Sequence, residues 1–450
     1  MSLILILLVV IAFIVLTTTK LKLHPFLALI LAAFLAAFAY GLPAESIAKT
    51  IASGFGGILG GIGLVIALGT IIGIILEKSG AAITMADSVI KLLGERFPTL
   101  TMSIIGYIVS IPVFCDSGFI ILNSLKESLA KRLRTSSVAM SVALATGLYA
   151  THTFVPPTPG PIAAAGNLGL ESNLGLVIVV GIFVAAVAAI AGMWWANRFK
   201  EVEPDIIEHE EPLNQDWKAL KASYGKLPNA TQAFAPIFVP ILLICLGSVA
   251  TLPSHPLGDG TLLHVFSFLG QPLTALLIGL FLSVCLLKSD DKVTEFGERV
   301  SEGIAAAAPI ILITGAGGAF GEVLKVTPLG DYLGTTLSAL GVGIFMPFIV
   351  SVALKSAQGS TTVALVTTSA LVAPMLNQLG LDSEMGRVLT VMAIGAGAMT
   401  VSHANDSFFW VVSQFSRMSV GLAYRAQTVA TLVQGITSMV AVYILSLILL

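Results

Sequence analysis

Ser402-His403-Ala404-Asn405-Asp406-Ser407 is a polar cluster with long apolar runs on both sides. A second polar break, Thr151-His152-Thr153, precedes a proline-rich stretch, Pro156-Pro157-Thr158-Pro159-Gly160-Pro161. Two further apolar runs are interrupted by Asp116-Ser117-Gly118 and by Lys355-Ser356-Ala357-Gln358-Gly359-Ser360-Thr361. Ser, Thr, Asn and Gln side chains suit hydroxyl groups on a ligand. Lys355 is a cation inside an apolar run, and such a charge needs a counter-charge. A bound anion would supply one; snorkelling to the interface is the structural alternative. Asp116 and Asp406 are the acids that could carry a proton. Structural hydrogen bonds, or a salt bridge to Lys355, are their alternatives. His152 and His403 titrate near neutrality when unperturbed, although a lone His is more often structural.

These residues must be positioned by membrane helices. The chain has 450 residues, 56% hydrophobic and only 11% charged. A soluble domain carries about 25% charged residues, so a polytopic α-helical membrane protein is expected. A net charge of −2 gives no reason to expect nucleic acid. Cys115, Cys245 and Cys285 have no metal or disulfide spacing. The run from Leu3 to Leu16 lacks a preceding basic residue and a cleavage site, so it reads as an uncleaved first helix. At membrane depth a polar, non-helical break is tolerated only where it is buried in protein or lines a cavity.

The two halves repeat. Ile108-Val109-Ser110 precedes the Asp116 kink, and Ile349-Val350-Ser351 precedes the Gln358-Gly359 kink. Gly147 lies shortly before His152, and Gly397 shortly before His403. Each half offers a kinked run and then a His-bearing broken run, the pattern of a transporter repeat. The expected fold is therefore all-α, with two inverted repeats, each holding a re-entrant hairpin and an unwound helix. The expected units are residues 1–50 (N-terminal helices), 51–197 (first repeat), 198–228 (a cytoplasmic linker) and 229–450 (second repeat). With that linker inside, all Lys and Arg except Lys49, Lys325, Lys355 and Arg387 fall on the cytoplasmic side, as the positive-inside rule requires. Leu262 to Leu287 reads as one span.

Across nearly the whole chain the sequence resembles the gluconate permease (gluconate:proton symporter) family of the ion-transporter superfamily. The resemblance is carried by Thr151-His152, Pro156-Pro157 and Pro159-Gly160-Pro161. It is also carried by Gly359-Ser360-Thr361-Thr362-Val363-Ala364 and by Ser402-His403, Asn405-Asp406 and Phe409-Trp410. It implies a proton-coupled importer of sugar acids or related small hydroxy- or amino-acids in a bacterial inner membrane. Where gluconate-type members tend to have Glu, His and Arg, this chain has Asp116, Thr158 and Lys355. A shorter acid such as glycerate, or D-serine, is thus the alternative to gluconate. The expected substrate residues are Ser117, Gly118, Thr151, His152, Lys355, Ser356, Gln358, Gly359, Ser360, Thr361, His403 and Asn405. Asp116 and Asp406 are the expected proton carriers, with sodium as the alternative coupling ion. The expected partners are a small anionic substrate, protons and the lipid bilayer, with a homodimer as one open assembly. No cofactor or metal is expected. A membrane-embedded enzyme would need a nucleophile–base pair or metal ligands at motif spacing, and the breaks offer none. The subunit of a multi-component pump would need a docking partner for a cytoplasmic loop.

Overall fold

The computed structural model describes residues 3–94, 97–205, 217–250, 260–327, 343–404 and 406–450, and all elements below lie within them. The first half runs α1 (Leu3–Thr19), α2 (Pro25–Ala39), α3 (Ala44–Ser79), α4 (Ala81–Leu93), α5 (Pro98–Val109) and α6 (Cys115–Leu133). It continues with α7 (Ser137–Phe154), α8 (Pro159–Asn167) and α9 (Leu174–Ala196). A short α10 (Trp217–Ser223) lies in the connection between halves. The second half runs α11 (Ala230–Ala250), α12 (Thr261–Leu269), α13 (Pro272–Val284), α14 (Lys292–Lys325), α15 (Phe345–Gln358) and α16 (Thr361–Val372). Then come α17 (Glu384–Met399), α18 (Ser407–Phe415), α19 (Val420–Ala423) and α20 (Val429–Leu449). No strand occurs among the described residues.

Local chemistry explains where these helices start and stop. Side-chain oxygens cap several helices: Ser136 accepts from Ala139 N, Asp291 from Thr294 N, Ser360 from Val363 N and Ser383 from Gly386 N. Gly80 ends α3 with φ +80°, a left-handed turn that a side chain would disfavour. Six helical stretches are long and apolar enough to cross a membrane, and α12 with α13 forms a seventh, bent by 69°. The expected span from Leu262 to Leu287 is thus built as two helices with a bend between them. Gly270-Gln271-Pro272 ends one helix and opens the next, because Pro is favoured at the first helical position.

The order long helix, hairpin, broken helix, long helix occurs twice. It runs α3, α5–α6, α7–α8, α9, and again α14, α15–α16, α17–α18, α20. The two long helices α3 and α14 pack along one another. The first of them begins at Ala44, ahead of the boundary expected near residue 51. The second is preceded by α11 to α13, as α3 is preceded by α1 and α2. The paired glycines have matching uses. A Cβ on Gly147 would meet Ser103 O of α5 at 2.2 Å, and one on Gly397 would meet Phe348 O of α15 at 2.5 Å. Each broken helix thus lies directly against the first arm of its own hairpin.

All of α7, and α8 from Pro159 to Gly166, is buried in protein, as a polar break at membrane depth requires. The second break is tied from outside itself. Thr431 Oγ1 accepts from Ser402 N at 2.9 Å, and Thr428 Oγ1 donates to Ser402 O at 2.6 Å. Next to it, Val401 has φ +59°, a conformation that β-branched residues rarely adopt. The surrounding hydrogen bonds hold the backbone there.

Candidate functional site

Three helices begin around one cavity of about 310 Å³. Phe114, Cys115 and Asp116 come from the start of α6, at the tip of the first hairpin. Gly359, Ser360, Thr361 and Thr362 come from the tip of the second hairpin, where α16 starts. Asp406, Ser407 and Phe408 come from the second break, where α18 starts. Tyr149 and His152, from the last two turns of α7, close the wall. The volume sits at the lower end of the roughly 300–1,000 Å³ typical of ligand sites.

Helix starts carry unpaired N–H groups and a partial positive charge, so three of them around one space favour an anion. Two buried polar atoms of lining residues have no hydrogen-bond partner among the described residues: Asp116 Oδ1 and His152 Nδ1. Buried polar groups are nearly always paired, so these two are available to a ligand. Tyr149 OH and Thr361 Oγ1 are 2.5 Å apart. The Tyr149 ring stacks on Phe408, with centroids 5.2 Å apart.

Behind this wall lies an ion pair. Lys355 Nζ is 2.7 Å from Asp406 Oδ2, and both side chains are buried. The ammonium also donates to Gly359 O and, at 3.2 Å, to Thr361 Oγ1. Asp406 is further held by Ser402 Oγ, which donates to Oδ2 at 2.5 Å. Its other oxygen, Oδ1, accepts from Phe408 N and caps α18. Lys355 is therefore matched by a protein carboxylate rather than by open space.

The other expected residues are placed as follows. Ser117 does not line the cavity and lies within interaction range of Glu77. Gly118 lets α6 pack close to Leu148. Thr151 donates to Tyr107 O at 2.8 Å and is fully buried. His403 Nε2 lies 3.1 Å from Ser356 O, which ties the second break to the second hairpin. Asn405 and the Gln358 side chain lie outside the described residues. The structure thus brings Asp116, His152, Gly359, Ser360, Thr361 and Asp406 to one cavity. It leaves Ser117, Gly118, Thr151, Lys355, Ser356 and His403 behind its walls.

Sequence reasoning missed Phe114, Cys115, Tyr149, Thr362, Ser407 and Phe408 as lining residues. Tyr149 had a signal: it precedes His152 by three residues and so shares its helix face. The aromatic residues on the hairpin and in the second break gave none, since aromatics are ordinary within apolar runs.

A second cavity, of about 400 Å³, is lined by Asn167, Glu322, Lys325, Asp382 and Arg387 among others. Its charges already pair with each other, Arg387 with Asp382 at 2.7 Å and Lys325 with Glu322 at 3.9 Å. It has no matching set of helix starts, which favours the smaller cavity as the site.

Comparison with known proteins accords with this architecture. Residues 1–448 match the GntP family permeases. A gluconate permease of Pseudomonas aeruginosa is 33% identical over 448 residues, 96% of this chain and 94% of the relative. A D-serine transporter of Escherichia coli K12 is also 33% identical, over 450 residues and 98% of both chains. The crystal structure of the YdaH transporter of Alcanivorax borkumensis, described as having an unusual topology, superposes with a TM-score of 0.67. It covers 95% of this chain and 99% of that one at 14% identity, a likeness of fold alone. The chain therefore belongs to the GntP permease family, as a multi-pass transporter of the inner membrane.

Proposed function

We propose that this permease imports a small hydroxycarboxylate, a sugar acid such as gluconate or a shorter acid such as glycerate, together with a proton. The carrying observation is the cavity itself, with three helix starts around it and Asp116 in its wall, whose Oδ1 has no hydrogen-bond partner among the described residues. The carboxylate of the substrate sits at the helix starts. Hydroxyls of Ser360, Thr361, Thr362 and Ser407 meet the substrate hydroxyls. A charged Asp116 would repel the anion. Two carboxylates about 5 Å apart repel by roughly 3 kcal/mol at an effective dielectric of about 20. Protonating Asp116 removes that term, so proton and anion bind cooperatively, each raising the affinity for the other. Passage of the substrate unchanged is supported by the permease family and by relatives named as permeases and transporters.

A second reading rests on the same side chain. An ionised Asp116 would pair with the ammonium of a small amino acid, while its carboxylate kept the helix starts. D-serine fits that pattern, and one relative carries the name of a D-serine transporter.

Uptake into proteoliposomes separates the two. Labelled gluconate, glycerate, lactate and D-serine are offered under an inward proton gradient, an inward sodium gradient or neither. The expected result is accumulation of one or more hydroxy-acids driven by the proton gradient. Accumulation of D-serine alone favours the second reading, and sodium-driven accumulation of any acid overturns proton coupling.

A further inference from the structure

The Lys355 ammonium has three N–H groups and three oxygen partners of different kinds. These are the Gly359 carbonyl, the Thr361 hydroxyl and the Asp406 carboxylate. Three acceptors satisfy the three donors of a buried ammonium. They are also hard oxygens carrying one net negative charge, the kind of set that holds a small hard cation. The surroundings fit as well. Nζ lies where α15 ends in a left-handed Gly359, φ +82°, and a helix end of this kind favours a cation. Unwound carbonyls and helix C-termini at a break in a membrane helix are where transporters hold such ions. The ammonium itself is completely buried.

We propose that this is a monovalent-cation site permanently filled by Lys355, a tethered ion that makes the carrier independent of sodium. Gly359, Thr361 and Asp406 each line the substrate cavity and also bind Nζ. The tethered ion thus fixes the wall of the cavity from behind, as a positioning residue that does not touch substrate. With the site filled, the proton at Asp116 is the remaining mobile ion. This inference rests on the cavity being the substrate site only for its functional consequence; the cation site stands on its own contacts.

The test uses the purified full chain and needs no substrate. Melting temperature is measured for the unaltered protein, Lys355→Ala and Lys355→Met in sodium, potassium, methylammonium or choline chloride. Lys355→Ala frees the three oxygens and leaves room for an ion. It should be stabilised by sodium or methylammonium over choline. Half-maximal effect should come at a concentration at least roughly 10-fold below any effect on the other two proteins, the scale of one buried charge-assisted contact. Lys355→Met fills the space with an apolar chain and should not respond. The same melting temperature for Lys355→Ala in all four salts overturns the proposal, and so does failure to recover that variant folded in any of them. Loss of uptake of the acids by the unaltered protein would instead count against the substrate reading alone.

Discussion

Asp116→Asn is expected to abolish accumulation driven by a pH gradient while leaving exchange between equal internal and external pools intact. Asn mimics the protonated acid in shape and charge, so the anion still binds between the helix starts. It cannot release a proton, so the gradient has nothing to act on. An inward gradient of one pH unit is worth about 1.4 kcal/mol per proton, or about tenfold accumulation, and the variant should show none. The measurement is paired uptake and counterflow in proteoliposomes with the acid that the unaltered carrier accumulates. Accumulation by the variant in response to a proton gradient would remove Asp116 as the coupling group. Loss of exchange as well as accumulation would support the amino-acid reading, in which the charge of Asp116 binds the substrate directly.

The Lys355–Asp406 pair should produce the largest change in stability. Asp406→Asn keeps an oxygen for the cap of α18 but leaves the buried ammonium without its counter-charge. Removing one partner of a buried pair costs about 3–5 kcal/mol. Lys355→Gln removes the other partner and should cost a similar amount. The double variant Lys355→Gln/Asp406→Asn removes both charges together and should lose less than the sum of the two singles. Thermal or denaturant unfolding of the purified proteins reports this directly. Single variants as stable as the unaltered protein would mean that water solvates the remaining charge or an ion neutralises it.

The sequence made some features legible and hid others. Both hairpins and both broken helices could be read, because each leaves Gly, Ser, Thr or Asp inside an apolar run and lipid forbids that without a reason. The pairing of Lys355 with Asp406 could not be fixed, although a salt bridge was one of the alternatives. The two are 51 residues apart, and only the packing of the second hairpin against the second break joins them. Tyr149 and Phe408 were hidden for a different reason. Their stack is built from residues that any membrane helix can hold. The bend between α12 and α13 was legible in Gly270 and Pro272, but the surrounding apolar run is long enough to pass for one span.

The complete pairing of Lys355 by Asp406 has an electrical consequence. The pair is neutral and stays with the protein. What then crosses with the substrate is one anion and one proton, which sum to zero. A membrane potential does about 2.3 kcal/mol of work per elementary charge per 100 mV, and here it would have no charge to work on. The carrier should be electroneutral and driven by acidity alone. Vesicles clamped with potassium and valinomycin at zero or at a negative inside potential should then take up the acid at the same rate. Faster uptake at the negative potential would reveal a second positive charge travelling inward.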